Sequence, residues 1–371
     1  MKIAIVHEWL VTRAGSERVV EQMLDLFSAA DLFSLVKFLT PEQEQFIRHK
    51  PVTTSFLQHL PFAQKHFRQY LPLMPIAIEQ FDLSPYDLII SSNHAVAKGV
   101  VTRADQLHIS YVHTPMRYAW DLQQDYAQRG MKGILTTAIL HYLRLWDYAT
   151  AQRVDHFVAN SRFVARRIQK TYGRSATVIY PPVAIDRFRP AVQRDDFYLI
   201  MSRFVPYKRV DLVVEAFSRL GLPLVVIGAG GEAEKIRSIA QPNVQFLPPQ
   251  SEEAIASYLS HCKAFVYAAA EDFGISLVEA QAAGAPVIAY GKGGATEVVI
   301  PGKTGILFPD QTVESLMNAV QEFEAGARFE PDLLRQNADR FSIDRFQREF
   351  GAFVEQKWTD FQRKDGIELI A

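Results

Sequence analysis

The stretch Glu271-Asp272-Phe273-Gly274-Ile275-Ser276-Leu277-Val278-Glu279 places two carboxylates on either side of a glycine. Eight helical steps of about 100° leave the two glutamates about 80° apart, so they do not share one helix face. Glu271 is therefore expected in a loop, with Gly274 permitting a sharp turn and Ile275 to Glu279 entering a helix. The N-terminal end of such a helix offers unpaired N–H groups and partial positive charge, a seat for phosphate. A carboxylate at Glu279 could accept from the two hydroxyls of a ribose. The plainer reading is two solvated acids, or acids complementing a helix dipole.

Ser202-Arg203-Phe204-Val205-Pro206-Tyr207-Lys208-Arg209 adds the opposite charge. Arg203 is expected to end a strand and Lys208 to open the next helix, both on the rim that holds Glu271. A guanidinium and an ammonium together suit a diphosphate. Either alone could simply cap a surface element. Gly228-Ala229-Gly230-Gly231-Glu232-Ala233 matches the relaxed dinucleotide pattern G-x-G-x-x-A, which makes a nicotinamide enzyme a competitor. However, the match follows the second strand of its domain, and the next strand ends in Pro248-Pro249 with no acid for an adenosine ribose. In the first half, His113-Thr114-Pro115-Met116-Arg117-Tyr118-Ala119-Trp120-Asp121 follows a strand and could bind sugar hydroxyls; a structural histidine is the alternative. Gly15 is one glycine in the loop after the first strand, where backbone could approach a phosphate.

Strands and helices must carry these residues to one rim. Phe197–Arg203, Leu222–Ile227, Val244–Leu247, Ala264–Ala268, Pro286–Tyr290 and Gly305–Phe308 are short apolar runs separated by helical patterns. That alternation predicts βαβ units and a parallel sheet, with ligands bound beyond the strands' C-terminal ends. The first half is less regular: Ile3–Val6, Leu88–Ser91, His108–Val112 and His156–Ala159 are candidate strands, and Pro41 to Ile78 reads as an insertion. Tyr180-Pro181-Pro182 marks a joint. Phe346, Phe350, Phe353, Val354, Trp358 and Phe361 recur at helical spacing over 343–362, a packing stripe rather than a cofactor site.

A length of 371 residues suits two domains of middling size. With 48% hydrophobic and 22% charged residues the composition is that of a globular protein. A net charge of −1 gives no global attraction to nucleic acid. Cys262 is the only cysteine, so no internal disulfide forms, which fits a reducing cytoplasm. The opening apolar run is too short for a signal peptide, and no stretch reaches the roughly 18 apolar residues of a spanning helix. The expectation is a soluble chain with at most peripheral membrane contact.

Taken together in order and spacing, these stretches resemble glycosyltransferase family 4, retaining enzymes of the GT-B fold, and most of all its bacterial polysaccharide and mannosyltransferase-like branch. The resemblance rests on Val6-His7-Glu8-Trp9-Leu10 with Gly15 and Glu17, the His113–Asp121 run, Asn160-Ser161 with Tyr180-Pro181-Pro182, and Ser202–Asp211. Gly228–Glu232, Glu271–Glu279, Gly284–Ala289 and Gly302–Phe308 complete it. It implies an α/β chain of two Rossmann-like domains facing across a cleft. Residues 1–182 would form the acceptor-side domain, joined by a returning helix in 343–371, and 183–342 would bind the nucleotide-sugar. By resemblance Arg203 and Lys208 neutralise the diphosphate, Glu279 holds the ribose, Glu271 contacts the sugar near its reacting carbon, and His113 faces the donor sugar. Gly15, Gly228, Phe273, Gly274 and Ile275 complete the donor-binding set. Many relatives have two adjacent glycines in the first loop; here Ala14 precedes Gly15.

The implied reaction moves a hexose from a GDP-mannose or UDP-glucose type donor to a glycan or lipid-linked acceptor in polysaccharide biosynthesis. No Asp-x-Asp occurs in the chain, which points to catalysis without a metal or other cofactor. Because the family offers no agreed carboxylate nucleophile, front-face attack is expected, with the departing phosphate taking the acceptor's proton. Acid-free segments 45–78, with Arg48, Lys50, Lys65 and Arg68, and 127–146, with Arg129, Lys132 and Arg144, combine basic and apolar residues. They suit an anionic membrane, at the inner face of the cytoplasmic membrane, or equally a core helix with a solvated basic edge. A nucleotide-sugar epimerase or phosphorylase of the same fold, and a non-catalytic nucleotide-sugar binding protein, are the alternatives.

Overall fold

The computed structural model describes residues 1–121 and 131–368, with 131–132 and 364–368 by their backbone alone. The chain forms two compact units, Met1–Pro182 with Phe346–Ala371, and Val183–Arg345.

The first unit is built on seven strands: β1 (Ile3–Leu10), β2 (Asp31–Lys37), β3 (Val52–Thr54), β4 (Leu88–Asn93), β5 (Leu107–Val112), β6 (His156–Ala159) and β7 (Ala176–Val178). All pair in parallel, in the order β3-β2-β1-β4-β5-β6-β7. A parallel sheet has helices on both faces, so its strands are apolar on both. In β1, Ala4 and Val6 join a core with Ile89 and Met116, while Ile5 joins the opposite core with Leu88, Ile90 and Val19. The second core is closed by the far end of the chain. The helix Ile343–Glu368 contributes Phe346, Phe350 and Val354, and the Phe346 and Phe350 rings meet Tyr111 edge-on, with centroids 5.9 and 6.0 Å away.

Strands β2, β3 and β7 were not expected from the sequence. β1 and β4 also run further than the apolar runs suggest, through His7–Leu10 and Ser92–Asn93. Residues 41–78 hold β3, the helices Ala63–His66 and Met74–Glu79, and three short 3-10 stretches.

The second unit has β8 (Tyr198–Met201), β9 (Leu224–Ile227), β10 (Val244–Leu247), β11 (Ala264–Tyr267), β12 (Val287–Tyr290) and β13 (Gly305–Phe308), all parallel, in the order β10-β9-β8-β11-β12-β13. Its helices Val210–Leu220 and Val313–Glu324 bury Val213, Phe217, Leu316 and Val320 against Tyr198, Val226 and Val266. Cys262 is fully buried.

Each sheet reverses its order once, between β1 and β4 and between β8 and β11. Crossovers leave such a point in opposite directions, opening a crevice beyond the strands' C-terminal ends. Among the described residues, no helix is long and apolar enough to cross a membrane.

Candidate active site

The rim at the β8/β11 reversal gathers the charges singled out in the second unit. β8 stops at Met201, so Arg203 lies two residues beyond the strand rather than ending it. Lys208 closes a 3-10 turn (Pro206–Lys208) rather than opening the helix, which begins at Val210 after Arg209 in a left-handed conformation (φ +51°). This detour turns the Lys208 ammonium back across the rim. It pairs with the Glu271 carboxylate and lies 3.0 Å from the Tyr267 hydroxyl. Tyr267, at the end of β11, is almost wholly buried; burial, then Glu271 and Tyr207, push its phenol well above the usual value. Arg203 is exposed and donates to the Tyr207 hydroxyl at 3.0 Å.

Glu271 is held by backbone. Its carbonyl accepts from the Gly294 N–H at 2.8 Å, and it bridges to Gly293. Phe273 is buried against Phe341, and Gly274 (φ +96°) makes the left-handed turn into the helix Ile275–Ala282. Glu279 lies in the second turn of that helix, half-buried. Gly228 has a steric reason of its own. At φ +152°, a Cβ there would stand 1.9 Å from the Ser202 carbonyl oxygen. The loop after β9 thus closes on the backbone that carries Arg203, and Phe204 N–H donates to Ala229 at 2.8 Å.

The β1/β4 reversal in the first unit holds a second cluster. β1 and β4 pair His7 with Ser92 in register. Glu8 turns to one side, where its Oε1 accepts from four consecutive N–H groups: His94 (2.9 Å), Ala95 (2.8 Å), Val96 (3.1 Å) and Ala97 (3.1 Å). Its Oε2 lies 2.9 Å from His94 Nδ1. Burial alone would raise the Glu8 carboxyl, but His94, His7 and the Ala95 amide hold it well below the carboxylate range. Burial would lower His94, yet Glu8 and Glu17 leave it raised.

His7 turns to the other side, toward the helix Gly15–Leu26. Its Nε2 lies 3.5 Å from Glu17 Oε1, while Glu17 Oε2 accepts from the Ala14 N–H (3.1 Å) and the Ser16 hydroxyl (2.9 Å). Burial opposes charge on Glu17 too, but hydrogen bonding to His7 and the charges of His7 and His94 bring it to about 2. The Ser92 hydroxyl stands 3.2 Å from His7 Nδ1 and 2.9 Å from His113 Nε2. His113 is fixed through its main chain as well, donating to Asn93 O (2.8 Å) and accepting from Asn160 Nδ2 (2.9 Å). Burial, then His94 and His7, lower its imidazole to about 3, so it is neutral.

The run after His113 is braced from behind. Arg167 bonds Thr114 and pairs with Asp121, and Trp120 Nε1 donates to Asp147 at 2.7 Å. Asp147 is itself fully buried, paired with the equally buried Lys98 and accepting from the Tyr172 hydroxyl at 2.9 Å.

Within the second unit, Lys208 and Glu271 touch; Arg203 reaches Tyr207 instead. His113 and Gly15 belong to the first unit, Gly15 opening its helix. Sequence reasoning overlooked Tyr267, hidden in a strand, and the roles of Ser92 and His94. Residues of the two basic, acid-free segments divide. Arg48 is bidentate to Asp25, with its shortest contact at 2.7 Å, and Lys50 donates to Ala30 O at 3.0 Å, so neither is a free surface cation. Lys65 and Arg68 are exposed, and Arg144 donates to Ala119 O at 3.0 Å. Arg129 and the Lys132 side chain lie outside the described residues. Among the described residues, no three His, Cys, Asp or Glu side chains are arranged to hold a metal ion.

Two family models match adjoining parts of the chain: Glycosyltransferase Family 4 over residues 14–187 and Glycosyl transferases group 1 over residues 184–340. The chain belongs to glycosyltransferase family 4. Among curated relatives, the D-inositol 3-phosphate glycosyltransferase of Rhodococcus erythropolis is 30% identical over 200 residues, 45% of each chain. The GDP-mannose-dependent alpha-(1-6)-phosphatidylinositol monomannoside mannosyltransferase of Mycobacterium tuberculosis is 31% identical over 196 residues, 44% of this chain and 50% of the relative. The chain thus spans about half the length of the curated relatives it matches. Similarity of fold extends further: HepE of Anabaena, solved with UDP, superposes with a TM-score of 0.71 at 17% identity, covering 96% of this chain and 100% of that one. The fold of this family 4 chain is GT-B.

Proposed function

We propose that the chain moves a hexose from a nucleoside diphosphate sugar to a glycan or lipid-linked saccharide, with retention at the anomeric carbon, in polysaccharide biosynthesis. The observation that carries this is the Lys208–Glu271 pair at the β8/β11 reversal. Breaking the bond to the anomeric carbon puts negative charge on the diphosphate and positive charge on the sugar ring. Lys208, Arg203 and the N–H groups opening the helix Ile275–Ala282 stabilise the first charge; Glu271, left by Lys208 when phosphate arrives, faces the second. Glu279 holds the ribose. The backbone at Gly15, Gly228, Phe273, Gly274 and Ile275 lines the donor, and His113 contacts its sugar. The departing phosphate takes the acceptor's proton on the front face, so the reaction needs neither a carboxylate nucleophile nor a metal.

For the donor, a guanosine-linked mannose is supported by the name of the Mycobacterium tuberculosis relative, and a uridine-linked hexose by the UDP in the Anabaena structure. Thermal melts with GDP-mannose, UDP-glucose and UDP separate them, since a ligand at 100 times its Kd adds about 2.7 kcal/mol. The accepted donor is then incubated with a saccharide acceptor and the product linkage read by NMR, with and without EDTA. An axial-to-axial transfer unaffected by EDTA supports the reading. Inversion of the donor sugar, phosphorolysis, or binding without turnover would replace it with one of the alternatives.

Peripheral contact with an anionic membrane, at the inner face of the cytoplasmic membrane, belongs to the same proposal. Phe62 (78% exposed) and Ile76 (51%) stand near Lys65 and Arg68 in sequence, and the helix Met131–Ala151 exposes Ile134, Leu135, Tyr142, Leu145 and Tyr148. Apolar side chains beside cations suit an interface of that kind.

A further inference from the structure

The Lys208 ammonium has protons to give and no lone pair, so it donates to the Tyr267 oxygen at 3.0 Å as well as pairing with Glu271. The phenol's own proton is not used in that contact, and Glu271 accepts it. This hydrogen bond is one of the causes, after burial and the charges of Glu271 and Tyr207, that push the phenol well above its usual value. Ammonium, phenol and carboxylate thus close a triangle in which Lys208 gives to both partners and Tyr267 gives to Glu271.

The two donors differ in how far they can move. Tyr267 ends β11, an inner strand flanked by β8 and β12. Its ring is 4% exposed and stacks on Phe265 with centroids 6.1 Å apart, so its hydroxyl is a fixed point. Lys208 closes a 3-10 turn and carries its charge on a flexible stem, which lets it follow an arriving phosphate. Backbone contacts to Gly293 and Gly294 hold the main chain at Glu271 but not its carboxylate. Without a second donor, that carboxylate would lose its only proton-giving partner in the triangle when Lys208 turns away. We infer that Tyr267 is a positioning residue, whose hydroxyl keeps the Glu271 carboxylate in place while the donor's diphosphate engages Lys208. This role rests on the reading of Lys208 as a phosphate ligand and of Glu271 as the acid facing the sugar.

Tyr267→Phe keeps the ring and its packing on Phe265 and removes only the hydroxyl. The contact is tested first without any ligand, in full-length Lys208→Met, where the ammonium is gone as it would be once phosphate held it. There Tyr267→Phe should lower the urea midpoint, and should leave it unchanged when Glu271→Ala is also present, because the hydroxyl then has no carboxylate to hold. Equal shifts in the two backgrounds, zero included, overturn the inference. Turnover tests the use of the contact. With whichever of GDP-mannose and UDP-glucose is accepted, Tyr267→Phe in the otherwise wild-type chain should lower kcat about tenfold, while KM and the calorimetric Kd for the donor change less than about twofold. An unchanged kcat overturns the positioning role and leaves Tyr267 as packing. A Kd weakened as much as kcat is lowered overturns it too, since the hydroxyl would then serve Lys208 on the phosphate. No turnover by the wild type removes the transferase reading and leaves the Tyr267–Glu271 contact to the urea midpoints.

Discussion

Lys208 and Glu271, 63 positions apart in sequence, form an ion pair beside the Tyr267 hydroxyl, which lies 3.0 Å from the same ammonium. Both side chains are more than three-quarters buried, so neither is an ordinary surface charge. Removing either partner leaves the other without its counter-charge in a partly desolvated rim, and the two removals should differ in kind. Glu271→Ala is expected to abolish transfer, by about 10²–10³-fold in kcat, while donor binding largely survives because Lys208 is freed for phosphate. Lys208→Met should instead weaken the donor. Calorimetric titration with the accepted nucleotide-sugar beside a product assay reads both; wild-type turnover in Glu271→Ala would sink its proposed role.

Lys98 and Asp147 are wholly buried, and Asp147 also receives Trp120 and Tyr172. Lys98→Met leaves a buried carboxylate without its cation and should cost about 3–5 kcal/mol. Urea unfolding of the variant would show a lower midpoint at unchanged slope. A change under 1 kcal/mol would mean that Trp120 and Tyr172 suffice to hold the charge.

The Glu8–His94 pair makes stability depend on pH in a stated direction. His94 is raised above the ordinary histidine value of about 6.5, so its contribution is complete below that pH and is lost as pH climbs through the folded value. Glu8 is depressed, so its contribution is present above roughly 4.3 and is lost only as pH falls through the folded value. The pair therefore stabilises most between roughly pH 4.5 and 6.5. Against His94→Gln, the wild type should hold its largest advantage near pH 6 and a smaller one at pH 9, measured by urea midpoints in constant ionic strength.

Gly228→Ala drives a methyl group into the Ser202 carbonyl and strains a backbone with φ +152°. The expected loss is about 1–3 kcal/mol, together with a displaced Arg203 and weaker stabilisation by the donor. Thermal melts with and without nucleotide-sugar report both terms, and an unchanged response to donor would show that the 202–208 backbone tolerates the shift.

Surface apolar residues supply the last test. Phe62→Asp combined with Leu145→Asp should reduce sedimentation with phosphatidylglycerol vesicles at low salt while leaving turnover of a soluble acceptor intact. No sedimentation of the wild type would remove the membrane contact.

Much of the second unit was legible because its strands are short, wholly apolar and spaced by helices, the pattern a parallel sheet covered on both faces imposes. In the first unit β2 begins and ends in charge and carries Ser34 within it, while β3 and β7 have three residues each, too few for periodicity to register. Arg203, Lys208 and Glu271 stood out by type and position after apolar runs. Tyr267 did not, since a strand tyrosine reads as core until its hydroxyl is seen to meet an ammonium. His94 was missed for a simpler reason. Reading β4 as ending at Ser91 placed the rim two residues early, and the buried polar run Ser91-Ser92-Asn93 was the available signal that the strand continued toward a site.

The helix Ile343–Glu368 has a consequence for how the chain is made. Phe346, Phe350 and Val354 complete a core whose other members, such as Ile5, Val19 and Leu32, leave the ribosome first. All of Val183–Arg345 must be synthesised in between, which takes roughly ten to thirty seconds at ordinary elongation rates. For that interval the nascent first unit carries an uncovered apolar face, while the second unit has every strand of its own sheet before the closing helix emerges. A truncation at Arg345 would make that interval permanent, and its expected phenotype is aggregation of the first unit rather than loss of the second.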